Sequence, residues 1–357
     1  MRLVVKLGSS SITDDDGTID RAALAKVVRE LTAARDAGHE VVLVSSGAIA
    51  AGLPALGMTA RRRPRDARTL QAVSAVGQAR LMQVYNELFA ETGGDQPVVC
   101  GQVLLAPLDF MVRAQYLHAR STLDRLLELG VLPIVNENDA VADDEIRFGD
   151  NDRIAALVAQ LIGADLLVLL TDAAGLYTAD PRFDDDASLI EEIVEVDHEL
   201  EAMAGGSGSN RGSGGMSTKL AAAKIAAWSG VRTVIAAAER ERVIVDAIDS
   251  TSGVGTIVQP REQRLSARKV WIAFAVGSSG RIHVDEGARR ALVERGSSLL
   301  GAGVTKVEGE FAAEDAVELC GPDGQPFAKG VVRVAASAVD HDSGVVIHRD
   351  DLVVLPG

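Results

Sequence analysis

The chain of 357 residues is too long for one average domain, and its 47% hydrophobic content supports a core for about two domains of unequal size. Aromatic side chains make up only 3% and the net charge is -15, a balance that disfavours base-stacking platforms and nonspecific binding to a phosphate backbone. The dense basic run Arg61, Arg62, Arg63, Arg65 and Arg68 is the exception, and it reads as a solvated loop or an anion contact rather than a nucleic-acid footprint.

Strand and helix patterns alternate from the start. Residues 3–7 read as a buried strand, 20–37 as a helix closed by Gly38, and 41–45 as a second buried strand. A long amphipathic helix over 69–91 stops at Gly93-Gly94, and a strand follows over 98–105. A helix over 113–129, ended by Gly130, leads to a buried strand over 131–135. Next come a helix over 153–161 capped by Asn151 or Asp150, a strand over 166–170, a helix over 217–228 and a strand over 233–236. This order predicts an α/β fold, a mostly parallel sheet with helices on both faces.

The texture changes near residue 258. A polar connector with Pro260 is expected over 259–276, separating a catalytic domain over 1–258 from a small β-rich domain over 277–357. In the tail, short strands are expected at 318–320, 331–334, 345–347 and 352–355, with a hairpin turn at Asp323-Gly324 and one helix over 288–295. Cys100 and Cys320 sit far apart in apolar runs, so neither a disulfide nor a zinc site is indicated. No window reaches the ~20 apolar residues of a membrane span. Lys6 interrupts the N-terminal apolar run too early for a signal peptide, so a cytosolic, reduced protein is expected.

Five clusters stand at predicted strand ends or helix starts, where α/β folds place ligands. Lys6-Leu7-Gly8-Ser9-Ser10 follows the first strand and reads either as an anion nest or as a snorkelling lysine before a turn. Ser45-Ser46-Gly47-Ala48 repeats the device on the second. Asn136, Asn138 and Asp139 emerge from the strand at 131–135 and can face the same pocket as Asn151 and Asp152. Thr171-Asp172 follows the strand at 166–170. The glycine-rich run 205–215 enters Met216-Ser217-Thr218-Lys219 and a helix; it is neither a Walker A loop nor a Rossmann fingerprint. It reads either as a flexible linker or, by preference, as a mobile phosphate-covering loop that delivers Lys219 on a helix N-terminus. His348-Arg349-Asp350 imitates a protein-kinase catalytic loop without the asparagine that must follow.

Taken together, Lys-Leu-Gly-Ser-Ser from Lys6, Ser-Ser-Gly-Ala-Ile-Ala-Ala-Gly from Ser45, Asn-Glu-Asn-Asp-Ala-Val from Asn136, Gly-Asp-Asn-Asp from Gly149, Gly-Leu-Tyr-Thr-Ala-Asp-Pro-Arg from Gly175 and Gly-Gly-Met-Ser-Thr-Lys from Gly214 closely resemble the glutamate 5-kinase family. The tail, with Val284-Asp-Glu-Gly-Ala and His348-Arg-Asp-Asp, resembles the PUA domain of its bacterial members, although the segment between Ala336 and Val345 is shorter than the family pattern.

The resemblance implies an amino-acid-kinase fold and transfer of the ATP γ-phosphoryl group to the γ-carboxylate of L-glutamate, opening proline biosynthesis. By the same match, Lys6 and Lys219 neutralise the migrating group, with Asp152 either orienting them or joining the substrate. Ser46, Asp139 and Asn151 bind glutamate. The nucleotide is held by Lys6, Gly8, Thr171, Asp172 and the run Ser213, Gly214, Gly215, Met216, Ser217, Thr218 and Lys219, with Mg2+ carried mainly by its phosphates and no protein metal site. The family also implies a homo-oligomer, feedback inhibition by L-proline and delivery of product to glutamyl-phosphate reductase. The competing readings are a kinase for acetylglutamate or aspartate, and an RNA-binding regulator acting through the tail, which the acidic charge and the lack of an aromatic cluster disfavour.

Overall fold

The computed structural model describes residues 1–14, 16–92, 97–141, 151–179, 181, 184, 186–205 and 215–355. The chain divides into two compact units, Met1–Gln263 and Arg264–Gly357.

The first unit runs β1 (Arg2–Leu7), α1 (Arg21–Asp36), β2 (Glu40–Ser45), α2 (Ala48–Gly52), α3 (Ala67–Thr92), β3 (Cys100–Leu105), α4 (Pro107–Met111), α5 (Arg113–Glu128), β4 (Leu132–Glu137), α6 (Asn151–Ile162), β5 (Leu166–Thr171), β6 (Glu192–Ile193), α7 (His198–Gly205), α8 (Met216–Trp228), β7 (Arg232–Ala237), α9 (Val243–Asp249) and β8 (Thr256–Val258). The strands form one sheet in the order β3-β4-β2-β1-β5-β7-β8-β6. All its pairs are parallel except β7 with β8. The predicted mostly parallel sheet is thus present, with the two short strands β8 and β6 at one edge running opposite to the rest.

Strand alternation sorts β1 between the two faces. Leu3, Val5 and Leu7 join the core formed with Val27 and Leu31 of α1, Leu81, Tyr85 and Leu88 of α3, and Val243 of α9. Val4 and Lys6 fall on the opposite face, where α6 packs across β1, β2, β4 and β5. Asp20 caps α1 by accepting from the amides of Ala22 and Ala23, and Gly38, with φ of +86°, ends the turn beyond it. Cys100 is free and burial pushes its thiol up to about 12, which suits a small hydrophobe at a strand start.

Several boundaries differ from expectation. Asn151 does not cap α6 but is its first residue, and its side chain turns back toward the ends of β2 and β4. Asp150, the other candidate cap, lies outside the described residues, as do Gly93 and Gly94. Helices α2, α4, α7 and α9 escape the periodicity reading because each is eight residues or fewer.

In the second unit, the stretch read as a connector over 259–276 includes α10 (Ala267–Val270) and a π-helical turn, Trp271–Ala275, in which Val270 and Ile272 are fully buried. Then follow β9 (Gly280–Val284), α11 (Glu286–Arg295), β10 (Leu299–Leu300), β11 (Val304–Gly309), β12 (Ala316–Cys320), β13 (Pro326–Val331), β14 (Val345–Ile347) and β15 (Leu352–Val354). Five of these strands form a sheet in the order β11-β9-β12-β13-β15, and β10 pairs with β14. The strand expected at 331–334 lies earlier, because the Asp323-Gly324 turn lets β13 pair with β12 from Pro326. Val332 and Arg333 then leave that ladder, their amides bonding to Asp315 and Val346.

Tight helix contact backs the glycine corner after β2. A Cβ on Gly77 of α3 would lie 1.7 Å from the Ala48 carbonyl oxygen, and one on Gly52 of α2 would lie 2.1 Å from that of Val73. Gly77→Ala is expected to destabilise the protein by roughly 2–3 kcal/mol through overpacking. Asp20→Ala, which removes the cap of α1, should cost about 1 kcal/mol. Urea unfolding of both variants checks the order.

Candidate active site

At the carboxyl ends of the parallel strands lies a cleft of about 810 Å³, entirely within the first unit. Its walls include Lys6 and Gly8 after β1, Ser46 and Gly47 after β2, Asn136, Glu137 and Asp139 at the end of β4, Thr171 and Asp172 at the end of β5, and Gly215, Met216 and Lys219 at the start of α8. Four parallel strands and one helix N-terminus therefore deliver to one place residues spread over more than 200 positions of sequence.

One ion cluster forms the floor. Asp152, in the first turn of α6, is 0% exposed, and Lys6 and Lys219 are each 4% exposed. Lys6 Nζ lies 2.5 Å from Asp152 Oδ1 and Lys219 Nζ lies 3.1 Å from Oδ2. The Thr218 hydroxyl is also 3.1 Å from Oδ2 and 2.8 Å from the Gly215 carbonyl oxygen. Burial pushes the Asp152 carboxyl up, but the two ammonium groups and their hydrogen bonds outweigh it, holding the acid below its ordinary value of 3.8.

Beside this cluster, Asn151 Nδ2 donates to Ser46 Oγ at 2.7 Å and to Asn136 Oδ1 at 3.0 Å. Asn151 Oδ1 is buried with no hydrogen-bond partner among the described residues, the state of an acceptor waiting for a donor. Asp139 is half-buried, and its Oδ2 accepts from Ser74 Oγ of α3 at 2.6 Å. Gly47 takes φ of +102°, a conformation that favours glycine, which lets the chain turn from β2 into α2. Across the cleft, the Thr171 hydroxyl donates to Asp172 at 3.0 Å, and Gly8 approaches so closely that an added Cβ would lie 3.4 Å from Lys6 Nζ.

Of the residues singled out in the sequence, Lys6, Gly8, Ser46, Asp139, Asn151, Thr171, Asp172, Gly215, Met216 and Lys219 line the cleft. Asp152 and Thr218 sit just beneath its surface, and Ser217 is exposed on α8. Ser213 and Gly214 lie outside the described residues, as do Gly149, Asp180 and Arg182. Asn136 and Glu137 also face the cleft, as does Arg63, from the basic run that reads in the sequence as a solvated loop or an anion contact. The Ser74 contact had no local signal, since a serine within a 26-residue helix has no pattern tying it to residue 139.

Because the Asp152 carboxyl is depressed in the folded state, its stabilisation is fully present above the ordinary carboxyl value and lost as pH falls through the lower folded value. Asp152→Asn leaves two buried ammonium groups without their carboxylate, expected to cost about 3–5 kcal/mol at neutral pH. The gap to wild type should narrow on acidification below about pH 4. Denaturant unfolding across that range reads it; a gap independent of pH assigns the loss to shape instead.

Comparison with known proteins agrees with this architecture. The profile of the amino acid kinase family matches residues 1–237 and that of the PUA domain matches residues 280–346. The glutamate 5-kinases of Pelobacter propionicus, Herpetosiphon aurantiacus and Ralstonia nicotianae are 44%, 46% and 47% identical to the chain; each match covers 99% of it and 97%, 98% and 97% of the relative. Among solved structures, carbamate kinase from Giardia lamblia bound to AMP-PNP is similar over 72% of this chain and 98% of its own, with a TM-score of 0.53 at 17% identity. The product complex of T. acidophilum isopentenyl phosphate kinase covers 72% of this chain and 100% of its own, with a TM-score of 0.50 at 21% identity. These two likenesses concern the fold, whereas the full-length relatives are far more similar in sequence. The chain belongs to the amino acid kinase family, and within it to the glutamate 5-kinases.

Proposed function

We propose that the cleft transfers the γ-phosphoryl group of ATP to the γ-carboxylate of L-glutamate, giving L-glutamyl 5-phosphate as the first step of proline biosynthesis. The observation that carries this reading is the buried Asp152 carboxylate holding Lys6 and Lys219 at the cleft floor. Phosphoryl transfer depends on alignment and charge stabilisation more than on covalent help from protein, and two fixed ammonium groups supply both. Both Asp152 oxygens are engaged by these lysines, so Asp152 is a positioning residue for them rather than a ligand of the substrate ammonium.

The acceptor is already ionised at neutral pH, and no general base is needed. Asp139, oriented by Ser74, takes the substrate ammonium, and the unsatisfied Oδ1 of Asn151 accepts from a substrate N–H. Ser46 completes the glutamate side. Gly8, Thr171, Asp172 and the start of α8 from Gly215 to Lys219 form the nucleotide side, with Ser213 and Gly214 assigned there by family resemblance alone. Magnesium fits this site as cargo of the nucleotide, neutralising its phosphates. Among the described residues no three His, Cys, Asp or Glu side chains gather to hold a metal.

Family membership also supports a homo-oligomer and inhibition by L-proline at or near the glutamate pocket. The ready hydrolysis of acyl phosphates favours delivery of the product to glutamyl-phosphate reductase. Among the described residues no helix is long and apolar enough to cross a membrane, and a cytoplasmic setting suits a biosynthetic kinase.

Hydroxylamine trapping of the acyl phosphate tests the reaction, with L-glutamate, aspartate and acetylglutamate as alternative acceptors. Hydroxamate is expected from L-glutamate above the others, and Lys6→Ala or Lys219→Ala should each lower kcat by about 10²–10³ with folding intact. Preference for aspartate or acetylglutamate would reassign the acceptor while leaving the fold in place.

A further inference from the structure

Residues 170–177 line the cleft without a break, carrying the chain from the end of β5 along the nucleotide side. Between β5 and the bridge of Tyr177 with Leu189 this stretch forms no helix or strand of its own. Its course is therefore set by what holds it from behind. The Thr171 carbonyl oxygen accepts from the Ala238 amide at 2.7 Å, and the Leu176 carbonyl oxygen accepts from the Ile190 amide at 2.8 Å. The Leu176 amide donates to the hydroxyl oxygen of Thr256 at 2.7 Å. Of these three bonds, the last alone runs through a side chain.

Thr256 opens β8, opposite Ile235 of β7, and is 0% exposed. It lies behind the loop rather than in the cleft wall. The approach is close: a Cβ on Gly175 would lie 2.6 Å from Thr256 Oγ1, so glycine lets the loop descend until the Leu176 amide reaches the hydroxyl. The Leu176 side chain joins an apolar cluster with Val258 of β8 and Leu220 of α8, the neighbour of Lys219. The loop is thus seated between the strand behind it and the helix that carries the nucleotide lysine.

We propose that Thr256 is a positioning residue for nucleotide binding: its hydroxyl, by fixing the Leu176 amide, holds the loop at the depth at which Thr171 and Asp172 meet ATP. This rests on the reading of the β5 end as the nucleotide side. A buried amide stripped of its acceptor carries the cost of its lost hydration. Without the hydroxyl, the Leu176 amide regains a partner by leaving Thr256 for water in the cleft, which moves the loop into the space that the nucleotide occupies. The acceptor side rests on β2, β4 and α6 and is reached by none of the three bonds.

Steady-state kinetics test this in Thr256→Val, which keeps the side chain's shape and removes the acceptor, with folding checked by urea unfolding. The KM for ATP is expected to rise about tenfold, with kcat within about threefold and the KM for L-glutamate within about twofold of wild type. Thr256→Ser keeps the hydroxyl and should bind ATP nearly as wild type does, whereas Thr256→Ala, which differs from it by that hydroxyl alone, should match Thr256→Val. If Thr256→Val alone fails to fold, the serine and alanine variants decide. An unchanged KM for ATP, an equal rise in both KM values, or a serine variant as impaired as the alanine one overturns the proposal. Unfolding of Thr256→Val and Thr256→Ala alike overturns it too, since the hydroxyl then serves the fold and not the nucleotide. Wild type is assayed first: if it does not consume ATP with L-glutamate, the phosphotransfer reading fails rather than this one.

Discussion

A carboxylate buried to 0% exposure between two lysines governs this molecule. An isolated buried charge is costly, and Asp152 supplies the counter-charge for both lysines at the base of the cleft. The three groups solve one another's problem: the acid draws both ammonium groups to fixed positions, and they keep it ionised. Its position in the first turn of α6 adds the favourable end of the helix dipole to the same anion.

The sheet order makes that cluster possible. β1 lies between β2 and β5, with β4 and β7 beyond them, so the strands whose ends carry Ser46, Lys6, Thr171 and Asn136 are near neighbours although the chain visits them far apart. Alternation then decides which way Lys6 points: Val5 and Leu7 face the α1 and α3 layer, and Lys6 faces α6. A shift of one residue in β1 would bury the ammonium among leucines.

Much of this was legible because each site segment marks itself locally. Lysine at the end of an apolar strand, serine and glycine at a strand-to-helix turn, and asparagines where a buried strand stops all carry a reason visible within a few residues. What escaped was relational. Asn151 looked like a cap because Asn before a helix usually is one; only the packing of α6 against β2 and β4 shows its amide bonding Ser46 and Asn136 instead. Ser74 belongs to a helix whose periodicity says nothing of the cleft. The connector expected at 259–276 was misjudged by polarity, for Val270 and Ile272 are enough to anchor its second half in the tail unit.

The central place of β1 also bears on synthesis. Once made, it has no neighbour on its β5 side until residue 166 is reached, and Lys6 has no counter-charge until α6 appears. Lys219 comes later still. A nascent chain carrying only β1, β2 and their helices holds two strands of the eight with a lysine on an apolar face and an open parallel edge, an arrangement exposed to misassociation. The reacting centre is therefore complete only after the start of α8 has emerged, while β7 and β8 of the same sheet are still to be made.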